Sequence, residues 1–203
     1  MNLRVLPLAT LGLLLGGCVT KKGHDSWAIS VGVSNKIHSD TLNPGAIPYT
    51  KARLVMNGHP FQVDVKSATK GEIITHSFES HGVAIETETY RQAPGLFELV
   101  AYGDEVFKRP IPLLKFPFSV GDSWTWQGSF GADLNPIPAT AEITTADEPL
   151  ALEGFPQSDS VRVEVNLQYG SPTKPSERKL LFWFVEGKGM VKRQIHFGST
   201  RQP

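Results

Sequence analysis

Apolar and polar residues alternate with a period of two through most of the chain after residue 25. Trp27, Ile29, Val31 and Val33 fall on one side, with Ala28, Ser30, Gly32 and Ser34 on the other. Such alternation marks a half-buried strand, because successive side chains of extended backbone point to opposite faces. A looser stretch around Asn43-Pro44-Gly45 follows. Lys51 to Met56 then meets Asn57-Gly58, and Phe61, Val63 and Val65 alternate with Gln62, Asp64 and Lys66. Asn-Gly between two such runs predicts a tight hairpin. Further strands are expected at Glu72–Glu79, Val83–Tyr90, Phe97–Tyr102 and Glu105–Arg109, separated by turn residues such as Ser80-His81-Gly82 and Ala93-Pro94-Gly95.

The stretch "RPIPLLKFPF" carries Pro110, Pro112 and Pro117, so it reads as an extended edge or a crossing between sheets. Pro138–Thr145 is a weaker strand. The cleanest alternation is "SVRVEVNLQY", where Val161, Val163, Val165, Leu167 and Tyr169 share one face. A loop with Pro172 and Pro175 leads to "KLLFWFV", apolar on both faces and therefore expected to be covered on both sides. Gly187-Lys188-Gly189 turns the chain into Met190–Phe197. No segment shows a helical period. The expectation is an all-β fold with little or no helix: an antiparallel sandwich or an open or half barrel of about ten strands.

The first residues follow a different pattern. Arg4 precedes an apolar run from Val5 to Leu15, too short to cross a hydrocarbon core that needs about twenty residues. Charge, short apolar run and small residues make up a cleavable export signal. It ends in Leu15-Gly16-Gly17-Cys18, and Cys18 is the single cysteine of the chain. This "LGGC" resembles the lipobox of bacterial lipoproteins. The resemblance implies cleavage between Gly17 and Cys18 and a diacylglycerol on the Cys18 sulfur. Two acyl chains anchor a protein stably where one does so only marginally. Val19 follows where an aspartate would commonly mark inner-membrane retention, so an outer-membrane anchor facing the periplasm is expected. The implied organisation is a signal peptide over 1–17, a flexible tether over 18–25 and a single β domain over 26–200.

Composition narrows the partners. Lys plus Arg and Asp plus Glu number 20 each, so the net charge is zero. A neutral, evenly mixed chain lacks the basic face that nucleic acid requires. One cysteine forms no internal disulfide, so stability must come from the apolar core.

Two stretches of the second half carry a further resemblance. "VGDSWTW" follows the proline-rich segment, and "LLFWFVEGKGMVK" ends in Gly-x-Gly-x-Val-Lys. Residues 110–197 thereby resemble TapB-like secreted β domains of bacteria, for which no activity is established. That resemblance implies a secreted β fold and nothing about chemistry.

Candidate chemistry is sparse. His76 and His81 are four residues apart without a completing ligand set, so both read as solvent or turn histidines rather than a metal site. Glu86 and Glu88 share a face that the alternation suggests is solvated, opposite Val83 and Ile85. No nucleophile-elbow or phosphate-loop motif occurs. No cofactor is expected. Trp124, Trp126, Phe182, Trp183 and Phe184 concentrate the aromatic surface and are the candidates for lining an apolar ligand cavity, with core filling as the plainer alternative. The expected function is a membrane-anchored envelope lipoprotein. Its non-catalytic β domain would bind a partner protein or an apolar ligand. The alternatives are a structural part of an envelope assembly and an envelope hydrolase without a recognisable motif.

Cys18→Ser is expected to leave an unlipidated, uncleaved precursor. Labelled palmitate incorporation and gel mobility would show it, and a normally processed, lipidated product would refute the lipobox reading.

Overall fold

In a computed structural model of the protein, the structure describes residues 36–56, 59–131, 135–152 and 155–197. Cys18, the tether and the expected strand at 27–33 lie outside them, as does the Asn57-Gly58 turn. One short helix, α1 (Ser39–Leu42), precedes eleven strands. These are β1 (Lys51–Met56), β2 (His59–Lys70), β3 (Ile73–Ser80), β4 (Val83–Ala93), β5 (Leu96–Tyr102) and β6 (Glu105–Lys115). They continue as β7 (Ser123–Phe130), β8 (Ile137–Leu152), β9 (Phe155–Ser171), β10 (Lys174–Val185) and β11 (Gly189–Phe197).

The strands form one open antiparallel sheet in which spatial order follows chain order from β1 to β11. Consecutive strands are antiparallel neighbours throughout, the arrangement that short connections between alternating segments favour. The sheet curls so that its two halves face each other. Phe97 on β5 meets Phe184 on β10 edge to face with ring centres 5.9 Å apart. Tyr90 on β4 stacks on Phe97 at 5.2 Å and brings its hydroxyl to within 3.9 Å of the Met190 sulfur on β11. The main core between the halves takes the inward faces of β3 to β11, including Ile111, Leu113, Ile143, Val163 and Val165, all fully buried.

Several strands are longer than the sequence suggested. The weak strand at Pro138–Thr145 is part of β8, which runs 16 residues and pairs with the 17-residue β9. The proline-rich segment is extended, as expected: it forms the second half of β6, paired with β5 on one side, while the only β6–β7 pair lies before it, at Phe107, so it marks the passage between the two halves of the sheet. Pro175 lies within β10, not in a loop.

β10 is buried on both faces. Leu180, Phe182 and Phe184 enter the main core, while Leu181, Trp183 and Val185 join Leu150 and Val191 in a second cluster on the outer face.

The segment before β1 closes one end of the curled sheet. Ile37 bridges Phe118, Leu42 of α1 is buried in the main core, and Asn43 takes a left-handed backbone. The turn between β10 and β11 docks on this segment: Gly187 N–H donates to Thr41 O at 2.8 Å and Met190 N–H to Ala46 O at 2.9 Å. Gly189 sits at the contact with φ +77, and a Cβ there would stand 2.5 Å from Asn43 O and 2.9 Å from Ala46 Cβ. Both the backbone angle and the close approach demand glycine. Gly189→Ala is expected to destabilise the domain by about 2–4 kcal/mol, from left-handed strain plus steric overlap. Urea denaturation would measure this, and a midpoint equal to wild type would refute the described closure.

Candidate functional site

Two polar constellations stand out, one inside the curled sheet and one on its outer face. The inner one corrects the reading of Glu86 and Glu88. Glu88 is only 1% exposed, and it is Val83 and Ile85 that face solvent. Glu86, Glu88 and Tyr90 share a phase, and the fully buried Tyr90 carries that face inward. His76 is likewise buried, in phase with Ile74 and Phe78 on β3, so it is no solvent histidine. His81 occupies the exposed turn that follows.

Antiparallel register assembles the cluster. Glu88 lies directly opposite His76 on one side and Tyr102 on the other. Arg193 reaches down from β11. Its Nη2 donates to Glu86 Oε1, and its Nε stands 2.6 Å from Glu88 Oε1. That second approach is close but poorly aligned, so neither atom gains a hydrogen bond and the attraction is Coulombic. The guanidinium also lies over the Phe78 and Tyr102 rings, at 4.6 and 5.6 Å. Tyr90 Oη donates to Glu88 Oε2 at 3.0 Å. Ser67 Oγ and His76 Nδ1 share a hydrogen bond of 2.8 Å, while His76 Nε2 has no partner.

Two carboxylates against one guanidinium leave an excess negative charge in a dry place. Burial, followed by the neighbouring Glu86, pushes the Glu88 carboxyl up to about 7 against the pull of Arg193. Burial, aided by Arg193, pushes His76 down to about 4, so the ring is neutral. The same enclosure raises Tyr49 and Tyr102 to about 12. Arg193 is held charged: burial opposes its charge, but Glu88 and Glu86 outweigh it. The groups resemble a general-acid set in type but not in access. Glu88 is enclosed, and among the described residues no carboxylate bonds the free nitrogen of the imidazole in the Ser67–His76 pair. Among the described residues, no cluster of ligating side chains could hold a metal. The inner cluster is a clamp that ties β11 to β4.

The outer constellation lies across β6 to β11. Two adjoining concavities of about 590 and 610 Å³ share Glu142, Asn166 and Gln168, and so form one trough. Register lines its residues into two rows running across the strands. One row is Gln127, Thr140, Gln168 and Glu177. The other is Thr125, Glu142, Asn166, Lys179 and His196. Arg109 of β6 stands at one end. Glu164 braces the second row, accepting from Asn166 Nδ2 at 3.1 Å and from Lys179 Nζ at 2.7 Å.

The structure does not gather the five candidate aromatics around one cavity. Backbone pairing between β6 and β7 is confined to Phe107 opposite Phe130, where Pro110 and Pro112 leave the rest of the ladder open. Trp126 Nε1 donates to Pro110 O at 3.1 Å and Trp124 Nε1 to Pro112 O at 2.7 Å, replacing the missing bonds. Gly128 leaves the space in which the Trp126 ring lies. Phe182 and Phe184 belong to the main core. Trp183 sits on the opposite face, donating to Glu148 Oε1 at 3.1 Å beneath Lys192. Gly17 and Cys18, the implied cleavage and lipid sites, lie outside the described residues.

No protein-family model matches the chain, and neither a curated protein nor a solved structure does.

The inner cluster sets opposed pH slopes. Glu88 is raised on folding, so the native state holds its proton longer and stability falls as pH rises from about 4.5 to 7. His76 is lowered, so stability falls as pH drops from 6.5 towards 4. Between 4.5 and 6.5 the two slopes oppose each other. Glu88→Gln is expected to unmask the histidine and lose roughly 2–3 kcal/mol between pH 6.5 and 4. His76→Gln is expected to show the reverse slope, being more stable at pH 5 than at pH 8. Urea midpoints across pH would test both, and parallel curves for the two variants would refute the assignment.

Proposed function

We propose that the protein is a membrane-anchored envelope lipoprotein whose non-catalytic β domain docks a polar envelope partner through the trough on its outer face. The observation that carries this reading is the trough itself. It is a continuous concavity of in-register amide, hydroxyl and charged side chains, open to solvent across six strands. The Leu15-Gly16-Gly17-Cys18 stretch supports the anchor, and an outer-membrane position facing the periplasm follows from Val19. Carriage of an apolar ligand draws less support. Trp124 and Trp126 spend their indole N–H groups on proline carbonyls, and Phe182 and Phe184 interlock with the opposite half of the sheet. A catalytic role draws none from the inner cluster, whose acid is buried.

Placing a photo-crosslinking residue at position 140, in the trough, tests the reading. Irradiated intact envelopes are expected to give a discrete adduct of the lipidated protein. The same residue at position 70, exposed on the other half of the sheet, should give none. Absence of an adduct at 140, or equal adducts at both positions, would overturn the docking surface.

A further inference from the structure

Building on the docking reading, we infer that the trough takes a linear, uncharged glycan bearing hydroxyl and acetamido groups, laid across the strands. Three physical features select that class.

The first is direction. The two rows run perpendicular to the strands, and neighbouring strands lie about 4.8 Å apart, so a row from β7 to β11 spans roughly 19 Å. An extended peptide binds a sheet by pairing with the backbone of an edge. The trough is on a face, where β8 to β10 already exchange their backbone bonds with both neighbours and the open side of β7 is covered by the Trp124 and Trp126 indoles. A ligand lying across them meets side chains alone. A chain that carries polar groups along its whole length and on both sides suits such a surface.

The second is chemistry. Gln127, Gln168 and Asn166 each offer an amide donor and acceptor, and Thr125 and Thr140 offer hydroxyls that do both. Acetamido and hydroxyl groups are the complement of that set. Thr125, Gln127 and Thr140 make no side-chain hydrogen bond within the described structure, so their capacity is available at the surface. Asn166 and Lys179 are held in place by Glu164, which orients that half of the trough before any ligand arrives.

The third is charge and apolarity. Of the cations lining the trough, Arg178 is paired with Glu105 and Lys179 with Glu164, which leaves Arg109 beside Glu142 and Glu177, so the trough has no positive excess to recruit a polyanion. A helix or an acyl chain would need apolar anchors. The apolar lining is confined to Trp126, Ala141 and Leu167, each at most 6% exposed.

The test titrates the full-length protein in detergent with chitobiose, chitohexaose, cellohexaose and an uncharged hexapeptide, by calorimetry. Chitohexaose is expected to bind about tenfold or more tighter than chitobiose, since the longer chain crosses more strands. Raising the salt to about 0.5 M should leave that binding unchanged, because no counterions are released. The double variant Asn166→Ala, Gln168→Ala should lose about tenfold in affinity with no change in thermal midpoint. Lys174→Ala, at the exposed start of β10, should bind as wild type. The inference is overturned by no binding of either hexasaccharide, by equal binding of chitobiose and chitohexaose, by a double variant that binds normally, or by preference for the peptide. An envelope adduct at position 140 without oligosaccharide binding would remove the glycan and keep the docking surface. Loss of both would remove the docking reading as well.

Discussion

The fold depends on how a single antiparallel sheet buries its inner face. Among the described residues the eleven strands, in sequence order, have no second sheet to pack against, so the sheet turns on itself. The turn begins where the ladder between β6 and β7 opens. Pro110 and Pro112 cannot donate, and pairing there is limited to one position. An open ladder would strand the proline carbonyls. Trp124 and Trp126 supply indole donors instead, and their rings cover the gap. The seam is thus weak in backbone bonds and strong in side-chain cover, which lets the second half of the sheet swing over the first. A glycine at position 128 belongs to the same device, because any larger side chain would meet the Trp126 ring.

The far end of the turned sheet has its own constraint. Among the described residues β11 is the last strand of the sheet and pairs with β10, and its inward face must be held against β4. Apolar contact does part of this through Met190. Arg193 does the rest by meeting Glu86 and Glu88. A buried ion pair is weak as a source of stability, because desolvation offsets much of the attraction. Its value here is positional. Removing either side leaves a charge without its partner in a dry site, so β11 has one acceptable height over β4. A further clamp, Arg178 on β10 with Glu105 on β6, repeats the logic near the opposite side.

Local order was legible in the sequence because alternation and turn residues report it directly. "SVRVEVNLQY" could be assigned face by face, and Val161 to Leu167 are buried on the expected side. The two-sided burial of "LLFWFV" was legible for the same reason. Faces with mixed signals were not. On β4 the choice lay between Val83 with Ile85 and Tyr90 with two glutamates. Hydrophobicity favours the first pair, yet the second face is buried. The missing fact was Arg193, more than a hundred residues away, which makes an acidic face buriable. The aromatic residues show a related limit. Period two already separates Trp183 from Phe182 and Phe184, but only the pairing of β8 with β9, and of β9 with β10, shows what covers it. The trough was invisible for a purely geometric reason. Its residues are ordinary exposed positions until register aligns them into rows.

The main core and the outer trough are two sides of the same strands, and they constrain each other. Side chains that alternate along β9 and β10 send Leu167 and Leu180 into the core, and Asn166 and Lys179 into the trough. A rigid core therefore fixes the spacing of the trough rows, and sites built on strands hold their geometry better than sites on loops. A polar trough of this kind makes many modest contacts and few deep ones, so its intrinsic affinity is limited. A lipid on Cys18, the proposed anchor, would ease that limitation. A chain of the length from Cys18 to Lys36 spans at most roughly 65 Å, at about 3.3–3.6 Å per residue. Confinement within that radius would raise the effective concentration of any fixed envelope partner into the millimolar range typical of short linkers. Weak recognition by a face and attachment by a lipid would then be complementary, since the trough would need only to choose among ligands already held within reach.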